Sequence, residues 1–218
     1  MLSGWKLGNR KLDAASDPSP IWALALYVLY FLLLFGVQSI MQLQQTGTSG
    51  WVEGIGQTRA ERLANLLFLV SLVLDLAGPI LVLTGSIRPI EAIDVAPLHV
   101  VGFVIFGLAL LVGVLARQTM GAAWRTGIDP SSSAPLVTQG LFAAARNPVY
   151  TTMVSISIAV ALLVPNVVAP VAVALRVIAL QIQTRLVEEP FLRDRYHRDY
   201  TDYAGHVGRF VPLIGRCT

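Results

Sequence analysis

Charge is what this sequence has least of. Asp, Glu, Lys and Arg make up 13% of its 218 residues, about half the roughly 25% of an average soluble domain. Mean hydropathy is +0.65 and 55% of residues are hydrophobic, so a chain with several long apolar runs belongs in a bilayer rather than in water. Cysteine is reduced to Cys217, which excludes an internal disulfide framework and a cysteine-based zinc cluster. Its place next to the last residue also excludes a prenylation box. The histidines, His99, His197 and His206, have no metal-ligand spacing, so no metal is expected. Lysine is confined to Lys6 and Lys11, an arginine bias that hints at a GC-rich, bacterial genome. No basic run interleaved with aromatics is present, so the net charge of +3 points to lipid headgroups and not to nucleic acid. Gly54-Ile55-Gly56 lacks the third glycine of a dinucleotide fingerprint, and neither a P-loop nor a Gly-x-Ser-x-Gly elbow occurs.

What remains is apolar sequence in blocks. After a polar N-terminal arm, Ile21 to Ile40 is long enough to span and lacks the cleavage site of a signal peptide, so it predicts a retained transmembrane helix. Leu63 to Thr84 predicts a second span, interrupted at Gly78-Pro79; Leu98 to Ala116 predicts a third, in which Gly102, Gly107 and Gly113 allow close helix contact. Pro148 to Val164 and Val167 to Ile182, parted by Pro165-Asn166, predict a helical hairpin. The expectation is an all-α polytopic membrane protein of about five transmembrane helices, with a C-terminal hairpin and a tail helix to about Tyr203. Residues 1–116 would hold the arm and three spans. Residues 117–218 would hold the cofactor-binding and catalytic region of the same integrated unit. Five spans put Arg59, Arg62, Arg117, Arg125, Arg146, Arg185 and the tail arginines on one side, against Lys6, Arg10, Lys11 and Arg88 on the other. The positive-inside rule makes the richer side, with the catalytic face, cytoplasmic.

Two polar motifs flank the hairpin. Arg146-Asn147-Pro148 opens it, with proline where a helix tolerates it. Arg185 follows it, three and four residues ahead of Glu188 and Glu189, a spacing at which all three can share one helical face. A hairpin returns the chain to the side it left, so the two motifs converge. Acids with arginines can hold a zwitterion, carboxylate to ammonium and guanidinium to carboxylate. Asp75 and Arg176 lie inside predicted spans, either as functional groups or as a pair joining helices. Trp124, in "MGAAWR", reads as an interfacial anchor.

From about Met120 to Pro212 the chain resembles the isoprenylcysteine carboxyl methyltransferase and phospholipid methyltransferase superfamily. The resemblance rests on the order and spacing of "MGAAWR", "PLVTQGLFAAARNPVY" and "RLVEEPFLRDRYHRDYTDYAGHVGRFVP". It implies an integral membrane enzyme that uses S-adenosylmethionine, bound between the segment before the hairpin and the tail after it. Carried over by position, Leu136, Val137 and Gly140 would offer backbone to the cofactor, and Arg146, Asn147, Pro148 and Tyr150 would wall it. Glu188 and Glu189 would hold its polar groups. Arg146 or Arg185 would orient a carboxylate acceptor, and Glu189 would take the proton from an amine or thiol. Three positions depart from the family pattern: Asn147 replaces a histidine, Leu141-Phe142 replaces Pro-Tyr, and His197 replaces a glycine. The implied partners are the lipid bilayer and a lipophilic or lipidated substrate. The alternatives are an NADPH-dependent reductase of the sterol-reductase type and a non-catalytic membrane scaffold. Neither the acceptor nor the oligomeric state is legible in the sequence.

Overall fold

The computed structural model describes residues 19–47, 49–50, 58–125 and 134–216, apart from the Ala122 side chain. The N-terminal arm with Lys6, Arg10 and Lys11, the Gly54–Gly56 pair and Cys217 lie outside the described residues. Every extended run of secondary structure among the described residues is helical: α1 (Ser19–Thr46), α2 (Arg59–Leu83), α3 (Ala96–Met120), α4 (Pro148–Leu163), α5 (Ala169–Ile182) and α6 (Glu189–His206). A π turn, Gln183–Glu188, fuses α5 to α6, so the helix continues from Ala169 to a kink at His197 and on to His206. Among the described residues, four helices are long and apolar enough to cross a membrane, and α4 is shorter. At about 1.5 Å per residue α4 covers about 24 Å, less than the roughly 30 Å of a hydrocarbon core. Of the expected five spans, the fourth is thus the short partner within the hairpin.

Local chemistry accounts for the helix ends. Thr58 Oγ1 accepts the Glu61 N–H at 3.1 Å, the arrangement a Thr-x-x-Glu start favours. This cap begins α2 four residues before its apolar run. The helix then passes through Pro79 without ending. The ring leaves one backbone carbonyl without its helical N–H partner, a loss that packed membrane helices absorb. At the hairpin turn, Asn166 Oδ1 accepts the backbone N–H groups of Val168 (2.9 Å) and Ala169 (3.1 Å). The Pro165 carbonyl receives the Ile90 N–H at 2.8 Å, tying the turn to the α2–α3 loop.

Helix α3 packs along α4, and α2 along α5. A Cβ at Gly102 would stand 3.1 Å from the Ala159 carbonyl, and one at Gly113 would stand 2.9 Å from Leu34, so both glycines set the close approach expected of them. Gly107 faces open space instead. Tyr30, Leu34, Phe106, Met153 and Ile156 form the centre of the core. Leu66, Leu69, Val100, Val104, Leu108 and Leu111 remain exposed, the outward apolar surface that a lipid-facing bundle requires.

The intramembrane charges meet at the middle of this bundle. Arg176, fully buried, donates Nη2 to Asp75 Oδ2 at 2.8 Å and to the Tyr27 hydroxyl at 3.1 Å, and Nε to Ser71 Oγ at 2.7 Å. Ser157 donates to Asp75 at 2.6 and 2.7 Å. The pair therefore joins α1, α2, α4 and α5 through one polar cluster.

Candidate active site at the mouth of the hairpin

The hairpin does what its sequence implied. Arg146 enters α4 and Glu189 opens α6, and Arg146 Nη2 donates to Glu189 Oε1 at 2.9 Å with both side chains almost fully buried. Arg209 completes the cluster, donating Nε to Oε1 at 2.6 Å and Nη2 to Oε2 at 3.0 Å. One carboxylate thus holds two guanidinium groups. Arg146 also donates to the carbonyls of Ala204 (3.0 Å) and Gly215 (3.0 Å). The backbone N–H groups of Arg146 and Asn147 donate to Gly208 O (2.8 Å) and Arg209 O (3.0 Å). Asn147 Nδ2 adds a 3.1 Å bond to Arg209 O. An amide can donate in this way but takes no proton at neutral pH. Arg146 and Asn147 therefore pin the tail across the start of α4.

Glu188 has different company. The Tyr150 hydroxyl donates to its Oε1, and so does Gln183 Nε2 at 3.3 Å. Both acids sit where they do because of the π turn. Its extra residue per turn rotates Glu188 and Glu189 inward and leaves Arg185 exposed. The single-face geometry predicted for Arg185, Glu188 and Glu189 assumed an α-helical spacing, and the wide turn removes Arg185 from it. A second π turn, Leu32–Val37 in α1, lies beside the same region. Wide turns of this kind are rare and concentrate at functional sites. Arg117, buried, docks Nη1 on the Leu34 carbonyl of that turn at 2.7 Å. Its guanidinium lies 3.3 Å from the centre of the Trp124 ring. Trp124 is 4% exposed, so it is an internal wall and not the interfacial anchor its sequence context suggested.

These residues enclose a cavity of about 520 Å³, within the usual range of a small-molecule site. Leu136, Val137, Arg146, Asn147, Pro148, Tyr150, Glu188 and Glu189 all border it. Arg185 and Gly140 do not; Gly140, at φ 62°, turns the chain beside Thr119. The opposite end is aromatic and aliphatic: Phe31 and Phe35 from α1, Phe68 and Leu72 from α2, Met153 from α4 and Leu180 from α5. Tyr196 and Tyr203 of α6 donate to Ala134 O and Phe142 O, both at 2.6 Å, latching the tail helix to the segment before the hairpin.

Comparison with known proteins bears on this half of the chain. Residues 97–199 match a family described as phospholipid methyltransferase. The match spans 103 of the 218 residues, just under half of the chain. The methyltransferase-family match runs from the start of α3 through the hairpin and into the tail helix, covering Arg146, Asn147, Glu188 and Glu189. No curated protein matches the chain. The match stops short of Arg209 and does not include α1 or α2, although all three contribute to the site. Arg209 lies within the quoted C-terminal stretch, and Gln183 and Thr184 directly follow the apolar run that ends at Ile182. The available signal was two polar residues in the last turn before a double acid. For Phe31, Phe35 and Phe68 no sequence signal separated a cavity wall from an ordinary membrane-facing aromatic.

Proposed function

We propose that this integral membrane protein transfers a methyl group from S-adenosylmethionine to a lipophilic acceptor at the membrane boundary. The observation that carries the reading is the two-ended cavity, with acids and an amide at the hairpin mouth and an aromatic, aliphatic bay between α1, α2 and α5. The residues fit the donor. Glu188 supplies a carboxylate for its polar groups, and Phe191 and Tyr196 offer flat apolar surface. S-adenosylmethionine, when bound, supplies a methyl already activated by sulfonium charge. The protein's own task is then positioning and exclusion of water more than acid–base chemistry.

Each residue has a place in that task. Leu136 and Val137 offer backbone, and Asn147, Pro148 and Tyr150 form the wall. Tyr150 fixes Glu188 through its hydroxyl. Tyr196 and Tyr203 hold the lid of tail helix and loop closed against water. Phe31, Phe35, Phe68 and Leu72 receive the acceptor's chain, which gives the N-terminal half a share in choosing it. Glu189 is saturated by two arginines, so Glu188 is the better-placed carboxylate to take a proton from an amine or thiol acceptor. The arginine-rich end of the bundle carries this site and, by the positive-inside rule, faces the cytoplasm.

The test is transfer of labelled methyl from S-adenosylmethionine into membrane lipid extract and prenylcysteine analogues, with the product identified by mass. Saturable S-adenosylhomocysteine binding with a labelled product supports the reading. Saturable NADPH binding in its place, or no ligand binding and no transfer, overturns it.

A further inference from the structure

The stretch after α6 carries an apolar turn that faces away from the protein. Val211, Leu213 and Ile214 are 47%, 69% and 67% exposed. They lie beyond the candidate span that ends at His206. The turn is closed by backbone bonds. The Ile214 N–H donates to Val211 O at 3.2 Å, and the Arg209 N–H donates to Ile214 O at 2.8 Å. Its central residues are Pro212 and Leu213, and Leu213 holds φ 68°. Proline followed by a residue of positive φ is the type II form, which calls for glycine or asparagine at the second position. Leucine is unfavourable there because its Cβ crowds the following carbonyl. A large apolar side chain thus stands exposed at the tip of a closed turn, at a position that backbone preference would give to another residue. Strain observed in this way is a reason to look for function.

The path of the chain decides what the tip meets. Ala145 and Gly208 form a parallel bridge. Beyond it the Arg146 and Asn147 N–H groups bond to Gly208 O and Arg209 O, and Thr151 Oγ1 donates to Phe210 O at 2.6 Å. The two stretches therefore advance together. As residues 145–151 lead into the bilayer through the start of α4, residues 208–210 descend beside them. The tip continues from the level of Thr151, inside the first turn of an apolar helix. That helix covers only about 24 Å of a hydrocarbon core of roughly 30 Å, so a short apolar segment beside its first turn has hydrocarbon to enter. Arg216, exposed two residues past Ile214, is a cation of the kind that lipid phosphates attract. The bilayer is the occupant in reach, because the turn hangs from the end of a helix that lipid surrounds.

We propose that the 211–214 turn is a membrane anchor: its three apolar side chains enter the leaflet at the hairpin mouth and hold the tail there. Arg209 and Gly215 flank the turn and bind Glu189 and Arg146, so the bilayer helps to keep the site closed. The inference depends on the membrane bundle and stands whether or not the chain transfers methyl groups. Its test uses the full chain in nanodiscs of phosphatidylcholine and phosphatidylglycerol, with Cys217→Ser removing the single cysteine. A nitrobenzoxadiazole label on Leu213→Cys or Ile214→Cys should show blue-shifted emission that doxyl-labelled lipid quenches. The same label on Asp202→Cys, at an exposed position of α6, is the water reference. A second measurement needs no label. Val211→Ser with Ile214→Ser changes two exposed side chains outside the positive-φ position. Were they in water, such changes would be nearly neutral, and proteolytic cleavage after Ala204 would stay within about twofold of wild type. Loss of an anchor should speed that cleavage about tenfold, with the circular dichroism spectrum unchanged. Aqueous emission at both tip positions overturns the inference. So does blue-shifted emission without doxyl quenching, which places the tip against protein, and so does cleavage of the double variant at the wild-type rate.

Discussion

Glu189→Gln tests the architecture of the site directly. The wild-type carboxylate takes three charge-assisted bonds, one from Arg146 and two from Arg209, at 2.6 to 3.0 Å. The two guanidiniums are near neighbours, and this acid offsets part of their combined charge. Glutamine is nearly isosteric, yet it offers one acceptor oxygen, two N–H donors and no charge. Both arginines then lose their anion within a nearly closed site, and breaking a buried pair in this way costs about 3–5 kcal/mol. Arg146→Met should cost less, because Arg209 still satisfies both carboxylate oxygens. The loss acts where Arg146 and Asn147 hold the 204–215 stretch against α4, so it opens the tail before it unfolds the bundle. An opening penalty reduced by 3–5 kcal/mol raises the open population by about two to four orders of magnitude. Limited proteolysis after Ala204, in the regime where cleavage follows that population, should accelerate accordingly. In a double-mutant cycle, Arg146→Met should cost clearly less in the Glu189→Gln background than in wild type. Proteolysis of Glu189→Gln at the wild-type rate, or additive effects of the two changes, would refute the argument that one carboxylate closes the tail onto the hairpin.

Three other outcomes follow from the geometry. His197 occupies φ 46°, ψ −114° inside the tail helix, where the family pattern has glycine; His197→Gly should relieve about 1 kcal/mol of backbone strain and raise the unfolding temperature in detergent. Asp75→Asn strips the anion from fully buried Arg176 and should destabilise the bundle by about 3–5 kcal/mol, read as a lower denaturant midpoint. Asp75→Leu combined with Arg176→Leu should recover a large part of it. Tyr150→Phe removes the hydroxyl that fixes Glu188. On the proposed function it should weaken S-adenosylhomocysteine about tenfold by calorimetry, with the circular dichroism spectrum unchanged.

Hydropathy alone specified the helical class, the positions of α1 to α5 to within a few residues, and the hairpin at Pro165-Asn166. These follow from the length of apolar runs and from proline and asparagine at their ends, which are local properties of the chain. Convergence of Arg146 with the double acid was also legible, because a hairpin's topology dictates which ends meet. Tertiary structure decided the rest. The π turn at Gln183–Glu188 is invisible to a reading that assumes a 3.6-residue period, and such a period places Arg185 on one face with the acids. Arg209 joins Glu189 from 20 residues away, and Trp124 folds inward onto Arg117; nothing in the flanking residues separates either placement from a solvated arginine or an interfacial tryptophan. Sequence sets which segments the bilayer will accept, since that depends on summed transfer energies along the chain. Which side chains share a cavity depends on a rotation of about one residue in one turn, and only the packed bundle fixes that.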